Sequence, residues 1–151
     1  MSSSEGDFDV TRIDSCRTVI LIAAGTGLTP MIRVLNYLIQ QIQDGKTKKI
    51  VLLFFNKTRN DILCQQELQT VADQYKFEVH FILSRPDVQW TGETGYVRGE
   101  LLQRLLPSKS DQSDTLICVC GPIPFSKLTI EYVLKEYKER KKYFNNFILV
   151  Y

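Results

Sequence analysis

Short apolar runs alternate with amphipathic stretches along this chain of 151 residues. Four runs are almost wholly apolar, as strands buried on both faces of a parallel sheet are; they span Thr18–Ala24, Ile50–Phe55, Phe77–Leu83 and Thr115–Cys120. Between them, apolar residues at three- and four-residue spacings predict helices over Pro30–Gln43, Asp61–Tyr75 (with Asn60 as its N-cap), Arg98–Leu106 and Phe125–Arg140. Phe147–Tyr151 is a candidate for a final edge strand.

This alternation of strand and helix predicts an α/β fold with three layers. We expect an open parallel sheet of about five strands with helices on both faces. The length suits one domain, so residues 1–151 are interpreted as a single domain, with residues 1–6 as a polar leader. In such sheets, ligands bind beyond the carboxyl ends of the strands, where the strand order reverses.

Composition excludes several classes of function. The net charge is only +2, which gives no reason to expect a nucleic-acid partner. The four cysteines form no CxxC pair and His80 is the only histidine, so we expect free thiols and no metal site. No apolar run approaches the roughly 20 residues that span a bilayer, and we expect a cytoplasmic protein. Basic clusters at Lys46–Lys49 and Lys138–Lys142 are either solvated turns or a docking patch for an acidic partner.

A glycine-rich turn follows the first predicted strand and leads directly into a helix. Gly25, Thr26, Gly27, Thr29 and Pro30 make up this turn. Glycines allow a ligand to approach the main chain, and a helix start offers free N–H groups and a positive dipole end that suit a pyrophosphate. The turn is neither GxGxxG nor a P-loop. Taken alone, it is also compatible with a tight turn that binds no ligand.

A second unusual turn follows the fourth predicted strand. Cys120, Gly121 and Pro122 come directly after that strand and before a helix. Because the carboxyl ends of parallel strands meet at one edge, we expect this turn to lie beside the first glycine turn. Taken by itself, Cys120 is better explained as a small buried residue at a strand end, and its pairing with the first glycine turn is what favours a role in the site.

The two turns, in this order and at this separation, resemble the nucleotide domain of the ferredoxin-reductase-like flavoenzymes, which is Rossmann-like. The nearest branch is similar to the NADH–cytochrome b5 reductases, including the form fused to a cytochrome b5 domain. The matching pieces are Ala23–Met31, Phe54–Thr58, Asp61–Leu63 with Glu67–Leu68, the loop Pro86–Trp90, Gly95–Val97 and Cys120–Pro122. The combination is specific, although no single piece is.

The resemblance implies an electron-transfer function. NADH or NADPH would place its pyrophosphate near Gly25–Thr29, with Asn56 and Lys57 also contacting the cofactor. Thr26 and the Cys120–Pro122 loop would place the nicotinamide against FAD, with Cys120 as a positioning residue. Hydride would pass to FAD, and electrons would then pass to a heme acceptor such as a cytochrome b5. The cofactor supplies the hard chemistry, and the protein supplies orientation.

One departure from the family pattern bears on the choice of nucleotide. NADH-specific members have an aspartate after the third strand, whereas this chain has Ser84 followed by Arg85. A Ser-Arg pair resembles NADPH-using relatives, and an arginine can bind a 2′-phosphate. The alternative is that Arg85 is a solvated loop residue. NADH and NADPH therefore both stay open.

The family's flavin motif, Arg-x-Tyr-Ser/Thr, does not occur in this sequence, so an FAD-binding barrel domain of the parent chain is expected upstream. Localisation at the endoplasmic reticulum would then depend on the parent protein. Two other interpretations stay open. A methyltransferase would need an acidic residue after the second strand, where Asn56-Lys57-Thr58 stands. A non-catalytic descendant would have damaged glycine turns, yet Gly25, Gly27 and Gly121 are present.

Overall fold

The computed structural model describes residues 10–106, 115–137 and 146–149. In chain order, its elements are α1 (Val10–Ser15), β1 (Thr18–Ala24), α2 (Leu28–Gln43), β2 (Lys49–Asn56), α3 (Gln65–Tyr75), β3 (Glu78–Leu83), β4 (Glu93–Thr94), α4 (Gly99–Leu105), β5 (Thr115–Cys120), α5 (Ile123–Tyr137) and β6 (Asn146–Leu149). Short 3₁₀ turns at Gly25–Gly27 and Arg59–Asp61 follow β1 and β2. The predicted leader, Pro107 and the Lys138–Lys142 cluster lie outside the described residues.

Within the described residues, six strands form one sheet in the order β4-β3-β2-β1-β5-β6, and every neighbouring pair is parallel. The strand order reverses between β1 and β5, because β2, β3 and β4 extend to one side of β1 and β5 and β6 to the other. The predicted edge strand near Phe147 is present as β6. The prediction of about five strands missed β4, since two residues cannot produce an apolar run.

The sheet is covered by helices on both faces, which confirms the predicted three-layer α/β fold. Val19 and Leu21 of β1 pack in one core with α1, α2 and α3. Ile20 and Ile22 of the same strand pack in a second core with α4 and α5. Successive strand residues point to opposite faces, so a strand between two helix layers must be apolar at every position. This requirement explains the uninterrupted apolar run of β1.

The predicted start of the helix α3 is wrong. The predicted N-cap, Asn60, lies inside the 3₁₀ turn instead, and the helix begins four residues later than expected. Thr58 and Asp61 form a capping box, in which each side chain bonds the backbone of the other, and this closes the turn after three residues. Cys64 then has a left-handed backbone with φ 55°, which separates the turn from α3.

The short helix α1, which periodicity did not predict, is fixed to its neighbours by polar contacts. Asp14 Oδ1 accepts hydrogen bonds from Tyr37 OH at 2.6 Å and from Gln41 Nε2, and the first of these lowers the pKa of Asp14 most. Lys48 Nζ donates to the backbone oxygens of Ile13 at 2.7 Å and of Cys16. Lys48 is therefore a structural cap for the carboxyl end of α1 and not a free member of a docking patch.

Candidate functional site

The glycine turn after β1 lies at the reversal of strand order. Gly25 has a backbone φ of 56°, which residues with a side chain rarely adopt, and an added Cβ would meet nothing within 4 Å. Gly27 has an ordinary backbone, but a Cβ on it would lie 2.3 Å from the carbonyl oxygen of Cys120. The turns after β1 and β5 are therefore in direct contact, as the sequence predicted, and this contact requires glycine at position 27.

The helix α2 begins at Leu28, two residues before the predicted start, and no side chain caps its N-terminus. Thr26 and Thr29 are exposed, and Pro30 lies in the first turn. The 3₁₀ turn Gly25–Gly27 runs directly into α2, and the Leu28 N–H donates to the Gly25 and Thr26 carbonyls. No side chain caps the start of the turn, and the first N–H groups of a helical segment lack partners within it and can bind an anion.

The turn after β5 packs tightly against the first. The Cys120 side chain is 3% exposed and belongs to the core, and burial raises the pKa of its thiol. A protonated, buried thiol is a poor nucleophile. Gly121 could not carry a Cβ without meeting the Phe125 ring at 2.7 Å. Of this turn, only Pro122 faces the cleft described next.

A cleft of about 760 Å³ opens at the carboxyl edge of the sheet. This volume suits a sizeable organic ligand, since small-molecule sites span roughly 300–1,000 Å³. The strand ends and the start of α5 line it: Ala24, Gly25, Thr26, Phe55, Asn56, Lys57, Asp61, Leu63, Ser84, Gly95, Tyr96, Val97, Pro122, Pro124, Phe125 and Leu128. Six predicted site residues are thus brought together: Gly25, Thr26, Asn56, Lys57, Ser84 and Pro122. Gly27, Thr29, Pro30, Arg85, Cys120 and Gly121 do not line the cleft.

Much of the cleft wall is apolar, and sequence reasoning assigned no site role to these residues. Phe55 and Phe125 contact each other with ring centroids 5.4 Å apart, and Tyr96 is 67% exposed at the cleft. Leu63 and Leu128 are also exposed there. Phe55, Leu63 and Tyr96 lie in pieces that match the family, but no sequence signal showed that they form one wall, because they meet only in the folded chain.

The ends of β2 and β3 carry the polar side of the cleft. Ser84 N donates to Asn56 O at 3.0 Å, and Arg85 N donates to Lys57 O at 2.7 Å. Asn56 Nδ2 is buried and has no hydrogen-bond partner among the described residues, which leaves a donor for a ligand. Nearby, Thr58 donates to Asp61 through its hydroxyl at 2.7 Å and its backbone N at 2.9 Å. These bonds lower the pKa of Asp61.

Arg59 connects the two loops that follow β2 and β3. Its guanidinium lies 5.3 Å from the centre of the Trp90 ring and bonds Asp87 Oδ1 at 3.3 Å. Trp90 Nε1 also donates to the backbone carbonyl oxygen of Glu93 at 2.9 Å. We call Arg59, Asp87 and Trp90 the loop latch. It joins the loop after β2 to the segment that follows Ser84 and Arg85.

Two further findings concern the described part of the chain. No group of three metal-ligating side chains lies close enough there to hold a metal ion. No helix among the described residues is long and apolar enough to cross a membrane.

An open parallel sheet with a cleft at its reversal point, a tight glycine turn and an uncapped helix start defines a nucleotide-binding α/β domain. Comparison with known families makes this class specific: residues 21–131 match the family described as the oxidoreductase NAD-binding domain. The chain belongs to this family.

Individual relatives are cytochrome b5 reductases. The chain is 43% identical over 128 residues to cytochrome b5 reductase 4 of Bos taurus, which covers 84% of this chain and 24% of that protein. It resembles the CS-b5R domains of human Ncb5or in the NAD+ form, at 33% identity and a TM-score of 0.83, over 97% of this chain and 40% of that one. The reductase domain of Ulva prolifera nitrate reductase matches at 26% identity and a TM-score of 0.74, over 89% and 50%. The predicted resemblance is confirmed.

The chain spans about a quarter of the length of the cytochrome b5 reductase 4 proteins that it matches. These likenesses also favour the reductase interpretation over a methyltransferase or a non-catalytic descendant.

Proposed function

We propose that this chain places NADH or NADPH for hydride transfer to FAD held by another domain of its parent protein, from which electrons reach a heme acceptor such as a cytochrome b5. The observation that carries the proposal is the contact between Gly27 and the Cys120 carbonyl. That contact joins a pyrophosphate-type turn and a second ligand turn at the reversal of strand order. A cleft of dinucleotide size opens beside them.

The residues of the cleft fit such a ligand. The backbone N–H groups of the 3₁₀ turn Gly25–Gly27 would bind the pyrophosphate, with Gly25 giving close backbone approach and the Thr26 and Thr29 hydroxyls as further donors. The orphaned Asn56 Nδ2 would donate to the nucleotide. Thr26 and Pro122 would bound the nicotinamide end, where the Cys120 backbone fixes the turn. Cys120 acts there through position, since its thiol is buried.

FAD supplies the chemistry of hydride acceptance and single-electron release when its own domain binds it. This chain's contribution is orientation and exclusion of water. Apolar side chains are exposed at the cleft, among them Leu63, Tyr96 and Leu128. Their exposure supports the proposal that a partner domain covers this surface. Alone, the chain is expected to bind nucleotide weakly and to catalyse nothing. The parent protein is proposed to act in the cytoplasm. An anchor elsewhere in the parent protein would place it at the endoplasmic reticulum.

Calorimetric titration of the chain with NAD+, NADP+ and S-adenosylmethionine tests the nucleotide site. We expect binding of a pyridine nucleotide that is lost in Gly25→Val and Gly27→Val, provided that circular dichroism shows each variant folded. Preferential binding of S-adenosylmethionine would instead indicate a methyltransferase. Failure of every ligand, also after the FAD domain is restored, would indicate a non-catalytic descendant.

The division of labour between domains needs a second measurement. Absorbance at 340 nm would be followed with NADH or NADPH, the chain and ferricyanide as electron acceptor. We expect no turnover by the flavin-free chain and turnover by the parent protein. Robust oxidation by the isolated chain would contradict the proposal.

A further inference from the structure

The outer edge of β3 carries main-chain groups that no strand covers. β4 pairs only with Ile82 and Leu83, so the earlier residues of β3 have no neighbouring strand on that side within the described part of the chain. The Leu83 carbonyl accepts the Gly95 N–H at 2.9 Å and therefore points to this edge. Every second residue of a strand turns its N–H and C=O to the same edge, so Val79 and Phe81 do so as well.

A groove of about 340 Å³ lies along this edge. Val79, His80 and Phe81 form one wall, and Trp90–Glu93, the segment that leads into β4, forms the other. Three main-chain groups face this groove without a hydrogen-bond partner among the described residues: the N–H and the C=O of Val79 and the N–H of Phe81. Unpaired groups at a strand edge are the template on which an extended peptide adds as a further strand.

Contacts of Trp90 keep the groove preformed. The loop latch holds one side of its ring, and its Nε1 donates to the backbone carbonyl oxygen of Glu93 at 2.9 Å. An added Cβ on Gly92 would lie 2.7 Å from the ring, so this segment packs on Trp90 and leaves the space beside β3 open. The volume is at the lower end of the range for ligand sites, roughly 300–1,000 Å³. It therefore suits a short extended segment.

The side chains along the edge define the chemistry of the occupant. Both residues with unpaired groups pack against the core beneath α1, α2 and α3, whereas His80 projects to the opposite face of the sheet. There its Nε2 lies 3.3 Å from a carboxylate oxygen of Glu78, whose side chain is 56% exposed. The acid of the other wall, Glu93, is paired with Arg104. When His80 is neutral, no cation among the described residues pairs with Glu78.

We propose that the edge of β3 at Val79–Phe81 docks an extended segment of a partner protein, which adds as a strand parallel to β3, as the described strands of this sheet all are. The central residue of the segment lies beside His80, where its N–H donates to the Val79 carbonyl and its C=O accepts from the Phe81 N–H. Side chains on one face of neighbouring strands contact each other. The central residue is therefore basic, close to Glu78, and the residues on either side of it are apolar.

This inference goes beyond the proposed function, because no residue that lines the groove also lines the cleft. The test uses the blocked peptide acetyl-Thr-Val-Lys-Val-Thr-amide and nuclear magnetic resonance of the nitrogen-15-labelled chain. We expect the largest amide shifts at Val79 and Phe81. Hydrogen exchange at the Phe81 amide should slow about fivefold with saturating peptide, because its N–H becomes hydrogen-bonded.

Two altered peptides test the chemistry of the occupant. A peptide with Glu in place of Lys should bind up to about fivefold more weakly, as an exposed ion pair allows, and Glu78→Lys should reverse this order. A peptide methylated at the central nitrogen should lose binding, because it cannot donate to the Val79 carbonyl.

Two variants of Val79 test the edge itself. Val79→Pro removes the outward N–H, while the bonds to β2, which the even-numbered residues of β3 make, stay in place; proline is tolerated at such edge positions. This variant should weaken the peptide about fivefold, the worth of one hydrogen bond. Val79→Ala keeps the N–H and is the matched control, with a smaller effect. Circular dichroism confirms that each variant is folded.

Four results would overturn the inference. The first is the absence of shifts at Val79 and Phe81 with millimolar peptide, and the second is equal affinity for the Lys and Glu peptides. The third is slow exchange of both amides in the free monomeric chain, which would show that the chain itself covers the edge. The fourth is a dimer that Val79→Pro abolishes, which would make a second copy the occupant. None of them bears on nucleotide titration, so the proposed function stands or falls separately.

Discussion

Gly25 and Gly27 lie two residues apart in the same turn, but glycine is required at each for a different reason. At Gly25 the requirement is conformational, since φ is 56° and the surrounding space is open. At Gly27 the requirement is steric, because an added Cβ would meet the Cys120 backbone. A backbone atom cannot move aside as the tip of a side chain can, so the steric requirement is the stricter one.

We therefore predict that Gly27→Ala lowers the free energy of unfolding by about 2–3 kcal/mol, as overpacking against rigid atoms does. Gly25→Ala should cost about 1 kcal/mol, the usual strain of a left-handed residue. Urea unfolding followed by circular dichroism measures both. A larger loss in Gly25→Ala would contradict the contact between the two turns.

Cys118 gives the stability of the molecule a dependence on alkaline pH. Burial raises the pKa of its thiol to about 12, from an ordinary value near 9.0. Below pH 9 the thiol is protonated in both states. Above pH 9 only the unfolded chain ionises, so stability falls by about 1.4 kcal/mol for each pH unit up to the folded pKa.

The expected result is a free energy of unfolding about 1.4 kcal/mol lower at pH 10 than at pH 8.5, with a smaller contribution of the same sign from Cys120. Cys118→Ala should flatten this slope, although it lowers stability at every pH. Urea unfolding at several pH values supplies the measurement. An unchanged slope in Cys118→Ala would show that other groups cause the loss.

At the scale of elements, Lys48 holds α1 to the rest of the domain. Its ammonium contacts the last carbonyls of the helix, where the dipole end is negative. We predict that Lys48→Met lowers the free energy of unfolding by about 1–2 kcal/mol. Lys46→Met, which removes an exposed cation two residues earlier, should change it by less than about 0.5 kcal/mol. Equal effects would contradict the capping role.

The loop latch is expected to control local mobility more than global stability. Its ion pair is exposed, and such pairs contribute about 0–1 kcal/mol. Asp87 also accepts the Gln89 N–H at 2.8 Å. We predict that Arg59→Ala speeds hydrogen exchange at the Gln89 and Trp90 amides, while the unfolding midpoint changes little. Arg104→Ala breaks the ion pair with Glu93 and should leave these amides unchanged; protection retained in Arg59→Ala would refute the latch.

At the scale of the whole molecule, the candidate site and the contacts that hold α1 lie at opposite edges of the sheet. The glycine turns and the cleft are at the carboxyl edge, whereas α1 and Lys48 are at the amino edge. Distant sites act independently. We therefore predict that Gly25→Ala and Lys48→Met together lower the free energy of unfolding by the sum of their separate effects, within about 0.5 kcal/mol. A larger deviation would indicate coupling across the sheet.

Sequence patterns predicted the centre of the sheet best. The bounds of β1 and β5 agree with the apolar runs to the residue, because both strands are buried on both faces. The edge strand β4 has only two residues and leaves no pattern. The helix α3 begins later than predicted because reciprocal hydrogen bonds between Thr58 and Asp61 close a separate 3₁₀ turn before it. The periodicity of apolar positions cannot detect such bonds.

The candidate site was predictable where a short motif forms it by itself. The glycine turns could be located from strand ends and residue types alone. The apolar wall could not, because Phe55, Tyr96 and Leu128 come from distant segments and meet only in the folded domain. The sequence also could not show that Lys57 lines the cleft whereas Arg85 does not.

The loop latch has a practical consequence, because Trp90 is the only tryptophan of the chain. Its indole is held by Arg59 and Glu93 beside the loop that carries Ser84. Intrinsic emission excited at 295 nm therefore reports on one corner of the domain, whereas far-ultraviolet dichroism averages over all of it. If the emission changes before the dichroism during denaturation, the β3–β4 edge detaches first. A change in emission on adding nucleotide would report binding near this corner without any attached dye.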